Sequence, residues 1–387
     1  MTGRLRVGVN TLFMVPGDVG GSETYLRQSL RAMASAHPDI SLLLFTSRDN
    51  HNFLQQEYAR FPNVEYRQLR FRAANRPLRI IMEQLWLPAA VLRSGVDVLW
   101  SPGYTAPLLS ACPQAVTIHD LQYKSHPEDL SCLERLTLNF LVRTACRRCR
   151  AVITVSEFAR QEILRYGFAP AAKVFAVHEG VAEDFAAPVA PDRQERKRGP
   201  GGFQPGHQPY ILCVAHTYPH KNVHLLVDAL RLAGERIPHH LVLVGSPRRG
   251  EAALEESLAR FAGSSARVHR LQGLGRAELI SLYRDAACFV LPSAYEGFGL
   301  PVLEAMMAGT PVVTSRMASI PEVGGSHAIY LAGMTPEDLA RSIIQVLEMD
   351  PAARQEHVRR ARQWAASFTW SRSARQTMEI LTRLARR

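Results

Sequence analysis

The sequence contains no apolar run long enough to cross a bilayer. Its longest run, near residues 80–92, is short and is interrupted by Glu83 and Gln84. The N-terminus has no apolar signal region before its first predicted strand, so we expect no secretory leader. Six cysteines without such a leader predict free thiols in a reducing compartment. These absences together predict a cytoplasmic protein.

Cysteine pairs that could hold a metal ion are also scarce. Cys146-x-x-Cys149 is the only close pair, and no second Cys or His pair stands at zinc-ligand spacing. The pair also falls in a predicted helix. We therefore expect neither a metal nor a redox centre there.

Acidic residues are outnumbered: 46 Lys and Arg oppose 35 Asp and Glu, which gives a formal net charge of +11. No nucleic-acid-binding motif or aromatic-interleaved basic run accompanies this charge, so we expect no nucleic-acid partner. Residues 76–93 mix arginines with Ile, Leu and Trp86, as interfacial helices do, and this favours an anionic membrane surface. The same pattern also fits a core-packed helix with solvated arginines, and Pro88 is expected to interrupt one long helix.

The 387 residues exceed what one hydrophobic core usually fills, so we expect two domains. Short apolar runs without alternation, typical of strands buried on both faces, are separated by helical segments. This α/β pattern predicts parallel, doubly wound sheets. The strand candidates are 5–13, 41–46, 96–101, 115–118 and 151–155, and then 210–215, 240–245, 268–271, 288–292 and 311–314. Residues 188–209, rich in Pro, Gly and charge, are the predicted linker.

The most informative segment is 295–311, Y-E-G-F-G-L-P-V-L-E-A-M-M-A-G-T-P. Its two carboxylates, Glu296 and Glu304, are acceptors only, so their natural partners are hydroxyl groups. Gly297 and Gly299 let the backbone approach a ligand closely. Pro301 suits the first turn of a helix, whose N-terminal amides favour a phosphate. A phosphate flanked by polyols describes a nucleotide sugar.

The segment resembles the E-x7-E signature of the retaining GT-B glycosyltransferases of family 4, and residues 282–293 and 311–323 resemble its flanks. The resemblance implies two Rossmann-like domains that face each other across a cleft. Glu296 would then bind hydroxyls of the donor sugar and Glu304 the ribose. The amides of Phe298, Gly299 and Leu300 would face the sugar and the diphosphate.

The same resemblance suggests how the domains divide the work. Residues 1–187 would form the acceptor-side domain, and the C-terminal helix, 370–387, would pack back on it. Residues 210–369 would form the domain that binds the nucleotide-sugar donor.

A second motif is V-T-I-H-D-L-Q-Y-K-S-H-P, residues 116–127, which resembles the H-D segment of bacterial family-4 mannosyl- and rhamnosyltransferases. His119 and Asp120 directly follow a predicted strand, so both are expected at its carboxyl end, in the cleft. By resemblance, His119 would approach the donor sugar near the reacting centre. Asp120 either acts as a general base for the acceptor or caps the following turn.

A third motif, A-H-T-Y-P-H-K-N at residues 215–222, stands where the family often has G-T-L-x-P-R-K-N. Lys221 matches the lysine that neutralises the departing diphosphate. His220 replaces the usual arginine, and a histidine is fully charged only at lower pH. His220 either binds the diphosphate as imidazolium, donates one neutral hydrogen bond, or shares the task with His216.

The first glycine loop, residues 17–23, is not the G-x-G-x-x-G of dinucleotide-binding domains. Its Gly20–Gly21 pair matches a pair common in the family, whose amides would lie opposite the diphosphate. An ordinary tight turn is the alternative.

No D-x-D motif occurs, although metal-dependent GT-A glycosyltransferases use one to hold a divalent ion. We therefore expect no metal and no cofactor. The resemblance implies that the configuration of the sugar is retained, and since no carboxylate stands out as a covalent nucleophile, the expected route is a front-face displacement assisted by the leaving phosphate. The predicted function is transfer of a hexose, with GDP-mannose favoured as donor, to a glycan or lipid-linked acceptor. A nucleotide-sugar epimerase of the same fold and a non-catalytic nucleotide-sugar-binding protein are the alternatives.

Overall fold

The computed structural model describes residues 4–18, 20–127, 130–186, 208–261 and 267–386. The chain divides into two compact units. Unit 1 comprises Met1–Gly180 and Thr369–Arg387, and unit 2 comprises Val181–Phe368. The first unit thus ends a few residues before the border that the sequence suggested at 187. Nearly all of the predicted linker, 188–209, lies outside the described residues.

Unit 1 contains a seven-stranded sheet in which every strand is parallel to its neighbours. Its order is β3-β2-β1-β4-β5-β6-β7. The strands are β1 (Arg6–Asn10), β2 (Ser41–Thr46), β3 (Val64–Gln68), β4 (Val98–Ser101), β5 (Gln114–Ile118), β6 (Ala151–Thr154) and β7 (Val174–Ala176). The helices are α1 (Gly21–Ala36), α2 (His51–Glu57), α3 (Arg76–Leu92), α4 (Gln122–Ser125), α5 (Cys132–Arg148), α6 (Glu157–Arg165) and, at the C-terminus, α14 (Trp370–Ala385).

Unit 2 repeats the plan with six parallel strands in the order β10-β9-β8-β11-β12-β13. The strands are β8 (Tyr210–Val214), β9 (His240–Val244), β10 (Val268–Leu271), β11 (Cys288–Leu291), β12 (Val312–Thr314) and β13 (Ile329–Tyr330). The helices are α7 (Val223–Ala233), α8 (Glu251–Arg260), α9 (Arg276–Asp285), α10 (Leu300–Ala308), α11 (Ile320–Gly324), α12 (Pro336–Leu347) and α13 (Pro351–Ala365). Both units are Rossmann-like, which confirms the predicted α/β fold.

All ten predicted strands are present, and the sequence missed three others: β3, β7 and β13. Each of the three lies at an edge of its sheet. An edge strand is only partly covered, so it needs no continuous apolar run. In β3, for example, only Val64 is buried.

Pro88 does not interrupt α3, contrary to expectation, and the helix runs unbroken from Arg76 to Leu92. The Asn75 side chain caps its N-terminus by accepting a hydrogen bond from the Leu78 amide. A buried face that includes Leu87 and Val91 holds the helix against the core. This burial offsets the one backbone hydrogen bond that proline removes.

The C-terminal helix α14 packs on α1 within unit 1. Trp370 meets Tyr25 edge to face, with 6.2 Å between ring centroids. The chain at residue 180 packs directly on the start of α14, which only a glycine allows, because a Cβ on Gly180 would lie 2.1 Å from the Trp370 amide nitrogen. Among the helices of the described ranges, none combines the length and the apolarity that spanning a membrane requires.

Candidate active site

In unit 2, β8 and β11 are neighbours in the sheet, although β9 and β10 lie between them in the chain. The chain passes from β8 to β9 on one side of this pair and from β11 to β12 on the other side. Such a switch point opens a crevice at the carboxyl ends of the strands, where α/β proteins bind ligands. The two predicted donor-binding segments, 215–222 and 295–311, follow β8 and β11 and so begin at this point.

Lys221 and Glu296 meet there as an ion pair. Lys221 Nζ lies 2.7 Å from Glu296 Oε1, and the two side chains are only 16% and 12% exposed. Both were predicted site residues, but no sequence pattern indicated that they form a pair. The contact places a cation and a carboxylate, suited to phosphate and to hydroxyl groups, side by side.

Backbone contacts hold the two segments together. The Ala294 amide donates to the His220 carbonyl at 2.7 Å. The Asn222 side-chain amide donates to the Pro292 carbonyl at 3.1 Å, while Asn222 itself adopts a left-handed conformation with φ of 52°. The position of Lys221 is thereby tied to the end of β11.

The loop before α10 is braced by one serine. The Ser319 hydroxyl is within hydrogen-bond distance of two carbonyl oxygens, at 2.8 Å from Glu296 and 2.9 Å from Phe298. Gly299 has φ of +108° and forms the N-cap of α10, which begins at Leu300. The first amides of a helix have no intrahelical acceptor, so those of Gly299 and Leu300 suit an anionic ligand. Gly297 lies in the same loop, before Phe298.

Glu304, the second carboxylate of the motif, lies on α10 and accepts a hydrogen bond from the Tyr283 hydroxyl at 2.9 Å. Burial, together with the negative charge of Glu304, raises the pKa of Tyr283 well above its usual value. The hydroxyl therefore stays protonated and orients the carboxylate. Tyr283 was not predicted as a site residue, because a tyrosine at an apolar position of a helix looks like ordinary core.

Arg276 is a second residue that sequence analysis missed. Its guanidinium binds Asp184 through two hydrogen bonds of 2.6 and 2.8 Å and stacks 5.3 Å above the Phe185 ring. The pairing with Asp184, and to a smaller extent the charge of Glu304, raises the pKa of Arg276. A permanent positive charge therefore lies within electrostatic reach of Glu304.

The two histidines of the third motif differ. His220 is 3% exposed, and its ring stacks on Tyr218 with 5.6 Å between centroids. His216 Nδ1 accepts a hydrogen bond from the Ser246 amide at 2.9 Å, so its Nε2 carries the hydrogen in the neutral ring. Burial and the charges of Arg248 and Lys221 lower the pKa of His216. His216 is thus suited to donate one neutral hydrogen bond and not to act as imidazolium at neutral pH.

In unit 1, His119 follows β5 directly. Its Nε2 lies 2.9 Å from the Pro102 carbonyl oxygen, and its Nδ1 lies 3.8 Å from Glu179 Oε1. Both ring nitrogens therefore face groups of unit 1, so this conformation offers neither nitrogen to a donor sugar. The predicted donor contact of His119 stays a prediction. Glu179 escaped sequence analysis because it follows β7, one of the strands that the sequence missed.

Asp120 makes the contact that the sequence offered as its alternative role. Its Oδ1 accepts a hydrogen bond from the Gln122 amide at 3.1 Å, at the start of α4. Asp120 also faces the Tyr104 hydroxyl. The pKa of Tyr104 is raised well above its usual value, mainly by burial and to a smaller extent by the charge of Asp120. A role as general base stays a prediction.

The Gly20–Gly21 pair begins α1, with Gly20 as N-cap at φ of 58°. The loop closes on itself, because the Gly17 amide donates to Glu23 Oε2 at 2.7 Å. Both glycines are exposed. This arrangement is compatible both with the predicted diphosphate contact and with an ordinary tight turn.

Cys146 and Cys149 are free thiols buried in the core of unit 1. Burial raises the pKa of Cys146 to about 12, so its thiol stays protonated. Across the residues that the structure describes, no three His, Cys, Asp or Glu side chains are grouped to hold a metal ion.

Two family models match the chain, one in each half. Residues 19–185 match the model described as Glycosyltransferase Family 4, and residues 195–364 match Glycosyl transferases group 1. Between them the two models cover most of the chain.

Curated relatives and solved structures agree with these matches. The chain is 29% identical to O-antigen chain mannosyltransferase B of Escherichia coli, over 68% of each chain. It is 26% identical to O-antigen chain mannosyltransferase RfbU of Salmonella typhimurium, over 72% of this chain and 73% of the relative.

The structure of the chain is similar to that of Anabaena Alr3699/HepE in complex with UDP and glucose, with a TM-score of 0.73 and 21% identity; the match covers 98% of this chain and all of the other. It is also similar to WaaG, a glycosyltransferase involved in lipopolysaccharide biosynthesis, with a TM-score of 0.71, 17% identity, and 97% and 99% covered. At such identities the structural likeness shows the fold alone, which is GT-B.

Proposed function

Because the chain belongs to the glycosyltransferases that join a family 4 domain to a group 1 domain, we propose that it transfers a hexose from a nucleoside-diphosphate sugar to a glycan or lipid-linked saccharide. GDP-mannose is the proposed donor. The names of the O-antigen mannosyltransferases among its relatives support mannose as the sugar and a growing glycan as the acceptor.

One observation carries the donor site: the Lys221–Glu296 pair at the switch point of the unit 2 sheet. Lys221 would stabilise the charge that develops on the leaving diphosphate, together with the N-terminal amides of α10. Glu296 would accept hydrogen bonds from the hexose. Glu304, oriented by Tyr283, would accept them from the ribose.

We propose that the reaction retains the configuration of the sugar and needs no divalent metal. Fixed positive charge supports this second proposal, since Lys221 and the dipole of α10 would face the diphosphate in place of an ion. Addition of EDTA should then leave turnover unchanged. A loss of activity that magnesium or manganese restores would contradict metal independence.

The donor site is tested by thermal shift with GDP, UDP, dTDP and ADP and their sugars, on wild type beside Glu304→Ala. A nucleotide at one hundred times its dissociation constant should stabilise the fold by about 2.7 kcal/mol. One diphosphate that stabilises the wild type but not the variant would support the site and name the base. The absence of any shift at saturating concentrations would contradict donor binding.

Transfer itself is tested with the sugar nucleotide that binds and a panel of mannose-terminated and lipid-linked acceptors. Product that appears only with acceptor supports transfer, and NMR of the new linkage reports its anomeric configuration. Conversion of the sugar nucleotide without any acceptor would instead indicate an epimerase. Donor binding without turnover would indicate a non-catalytic protein.

We also propose that an anionic membrane surface is a partner, through a face of unit 1 here named the α3–α5 face. Ten of the twelve large apolar side chains exposed in the described residues lie between 78 and 140. They include Leu85 and Trp86 on α3, at 61% and 53% exposed, and Leu133 and Phe140 on α5, at 75% and 62%.

The N-termini of the two helices approach each other, where Arg76 and Glu134 form an ion pair of 3.3 Å. Arginines of both helices accompany the apolar side chains, so the face combines apolar area with positive charge. That combination fits the interface of an anionic bilayer better than a neutral one. The opposite face of α3 is buried in the core, so a membrane contact would use only the exposed face of the helix.

Vesicle sedimentation tests this face. Wild type should bind vesicles that contain phosphatidylglycerol more strongly than vesicles of phosphatidylcholine alone, and Leu85→Gln/Trp86→Gln should lose most of that binding. Leu232→Gln is the matched control, since Leu232 is 46% exposed but lies on α7 of unit 2. Equal binding by the double variant and the control would remove the α3–α5 face from the proposal.

A further inference from the structure

Glu179 is a buried acid that neither the sequence motifs nor the proposed donor site includes. It is 5% exposed, and its Oε1 lies 3.8 Å from Nδ1 of His119, whose side chain is 7% exposed. Gly180, the next residue, is pressed against the backbone of Trp370 and so fixes the main chain beside Glu179. The carboxylate is therefore held against the imidazole by the packing of unit 1.

The other side of the ring fixes its tautomer. A carbonyl oxygen only accepts, so the 2.9 Å contact between His119 Nε2 and the Pro102 oxygen requires a hydrogen on Nε2. In the neutral ring Nδ1 is then bare, and its lone pair faces Glu179. An ionised Glu179 would meet that lone pair in a buried place, which is unfavourable. One more proton, on Nδ1 or on the carboxyl group, removes this conflict.

The other groups around the ring do not supply that proton or balance the charge. Tyr25 of α1 meets the ring edge to face at 4.9 Å, and Tyr104 lies 5.2 Å away. Burial raises the pKa of both hydroxyls, so both stay neutral at physiological pH. Asp120 faces Tyr104 and adds negative charge. Burial raises the pKa of Glu179, while the hydrogen bond and charge of His119 oppose that rise.

We propose that Glu179 is a positioning residue that forms an ion pair with His119, so that at neutral pH the pair is an imidazolium and a carboxylate with no net charge. The proton lies on Nδ1, because imidazole is the stronger base by about two pH units in model compounds. The hydrogen bond from Nε2 to the Pro102 carbonyl orients the ring, and its positive charge depends on Glu179, 3.8 Å from Nδ1.

The charge of the pair depends on pH. When the pair loses its proton at high pH, its net charge changes from zero to minus one at the carboxyl end of β5. In Glu179→Gln the same loss changes the net charge from plus one to zero. The two proteins should therefore differ in the pH at which the ring loses its Nδ1 proton.

The direct test is NMR of histidine labelled with ¹⁵N, with the His119 signals assigned by their absence in His119→Gln. Wild type should show both ring nitrogens protonated at pH 7. In Glu179→Gln, which keeps the shape but not the charge, Nδ1 should lose its proton at least about one pH unit lower. A bare Nδ1 at pH 7 in the wild type, or identical titration in the variant, would overturn the proposal.

Two further variants separate this effect from a loss of folding. Glu162→Gln is the matched control, since Glu162 is another buried acid of unit 1, on α6, at 5% exposed. Its His119 titration should equal that of the wild type. The single variant His119→Gln strands a buried carboxylate, so adding Glu179→Gln to it should raise Tm, not lower it further.

The NMR result does not depend on activity. A protonated pair in a protein that turns over no sugar nucleotide would leave this proposal intact and contradict the proposed function. An active enzyme whose His119 Nδ1 carries no proton at pH 7 would contradict this proposal and leave the proposed function intact.

Discussion

The ion pair of Lys221 and Glu296 is the residue-scale feature on which the donor site depends. Lys221→Ala removes the cation and leaves Glu296 as an unbalanced carboxylate beside the diphosphate. We expect kcat to fall by orders of magnitude, because charge that develops in the transition state loses its partner. Lys173→Ala is the control, since Lys173 bonds carbonyls of unit 1 only. Near-normal turnover of Lys221→Ala would mean that another group holds the diphosphate.

Glu304 and Tyr283 allow a graded comparison. Glu304→Ala should weaken donor binding most, because it removes the proposed ribose acceptor. Tyr283→Phe keeps the ring and removes only the hydroxyl that orients the carboxylate, so its loss of affinity should be smaller, about tenfold or less. Calorimetric titration with the nucleotide checks both. Unchanged affinity in Glu304→Ala would exclude its ribose role.

A buried acid on α3 makes stability depend on pH. The Glu83 side chain is 2% exposed. The Thr105 hydroxyl donates a hydrogen bond to Oε2 of Glu83 at 2.8 Å, whereas Oε1 of Glu83 has no hydrogen-bond partner among the described residues. Burial raises the pKa of Glu83 from 4.5 to about 7. Between these values the folded chain binds more protons than the unfolded chain, so stability falls as pH rises through that window.

Glu83→Gln should therefore stabilise the protein by roughly 3 kcal/mol at pH 8 and by little at pH 4.5. Urea unfolding at both pH values measures this difference. Glu65→Gln should instead destabilise the protein at pH 8, because the Ser41 hydroxyl and Arg6 lower the pKa of Glu65. The stability that ionised Glu65 contributes is lost only as pH falls. A Glu83→Gln effect that is equal at both pH values would refute the argument.

At the scale of an element, α10 is the helix that organises the donor site. A Cβ on Gly299 would lie 3.1 Å from side-chain atoms of Ile320 and Val323, on a backbone with φ of +108°. Gly299→Ala should cost about 1–3 kcal/mol of stability and also weaken nucleotide binding, because the loop amides shift.

Gly309, at the other end of α10, is the control for this prediction. Its φ is +87°, but the nearest atom to an added Cβ is 3.5 Å away. Gly309→Ala should therefore cost stability through its backbone alone and leave nucleotide affinity unchanged. Equal losses of nucleotide affinity in both variants would contradict a specific role for the loop at Gly299.

The elements were predicted unequally well, for a physical reason. Central strands such as β2 and β11 match their predicted bounds to within one residue, because burial on both faces requires a continuous apolar run. The edge strands β3 and β7 carry no such pattern and were missed. In α3, tertiary packing overruled the local effect of Pro88.

For the whole molecule, the excess of positive charge predicts a salt-dependent partner. Of the 46 basic residues only four are lysines, so the charge is carried by arginine, which binds phosphate with two parallel hydrogen bonds. Binding to anionic vesicles should fall severalfold as salt rises from about 0.05 to 0.5 M, because screening weakens the attraction. Some vesicle binding should persist at high salt, because salt does not screen the apolar contacts of the α3–α5 face. Binding that is insensitive to salt would contradict the electrostatic part.

The sequence by itself determined the α/β fold of two parallel sheets and the strand, glycine loop and helix that carry Glu296 and Glu304. These follow from local patterns of burial, turn and helix-start residues, which need no knowledge of distant segments. Only the tertiary structure decided that Lys221 pairs with Glu296, that Tyr283 orients Glu304, and that Glu179 faces His119. Such contacts join segments far apart in the chain, so they exist only once the strand order has been set and the carboxyl ends of the strands have been brought together.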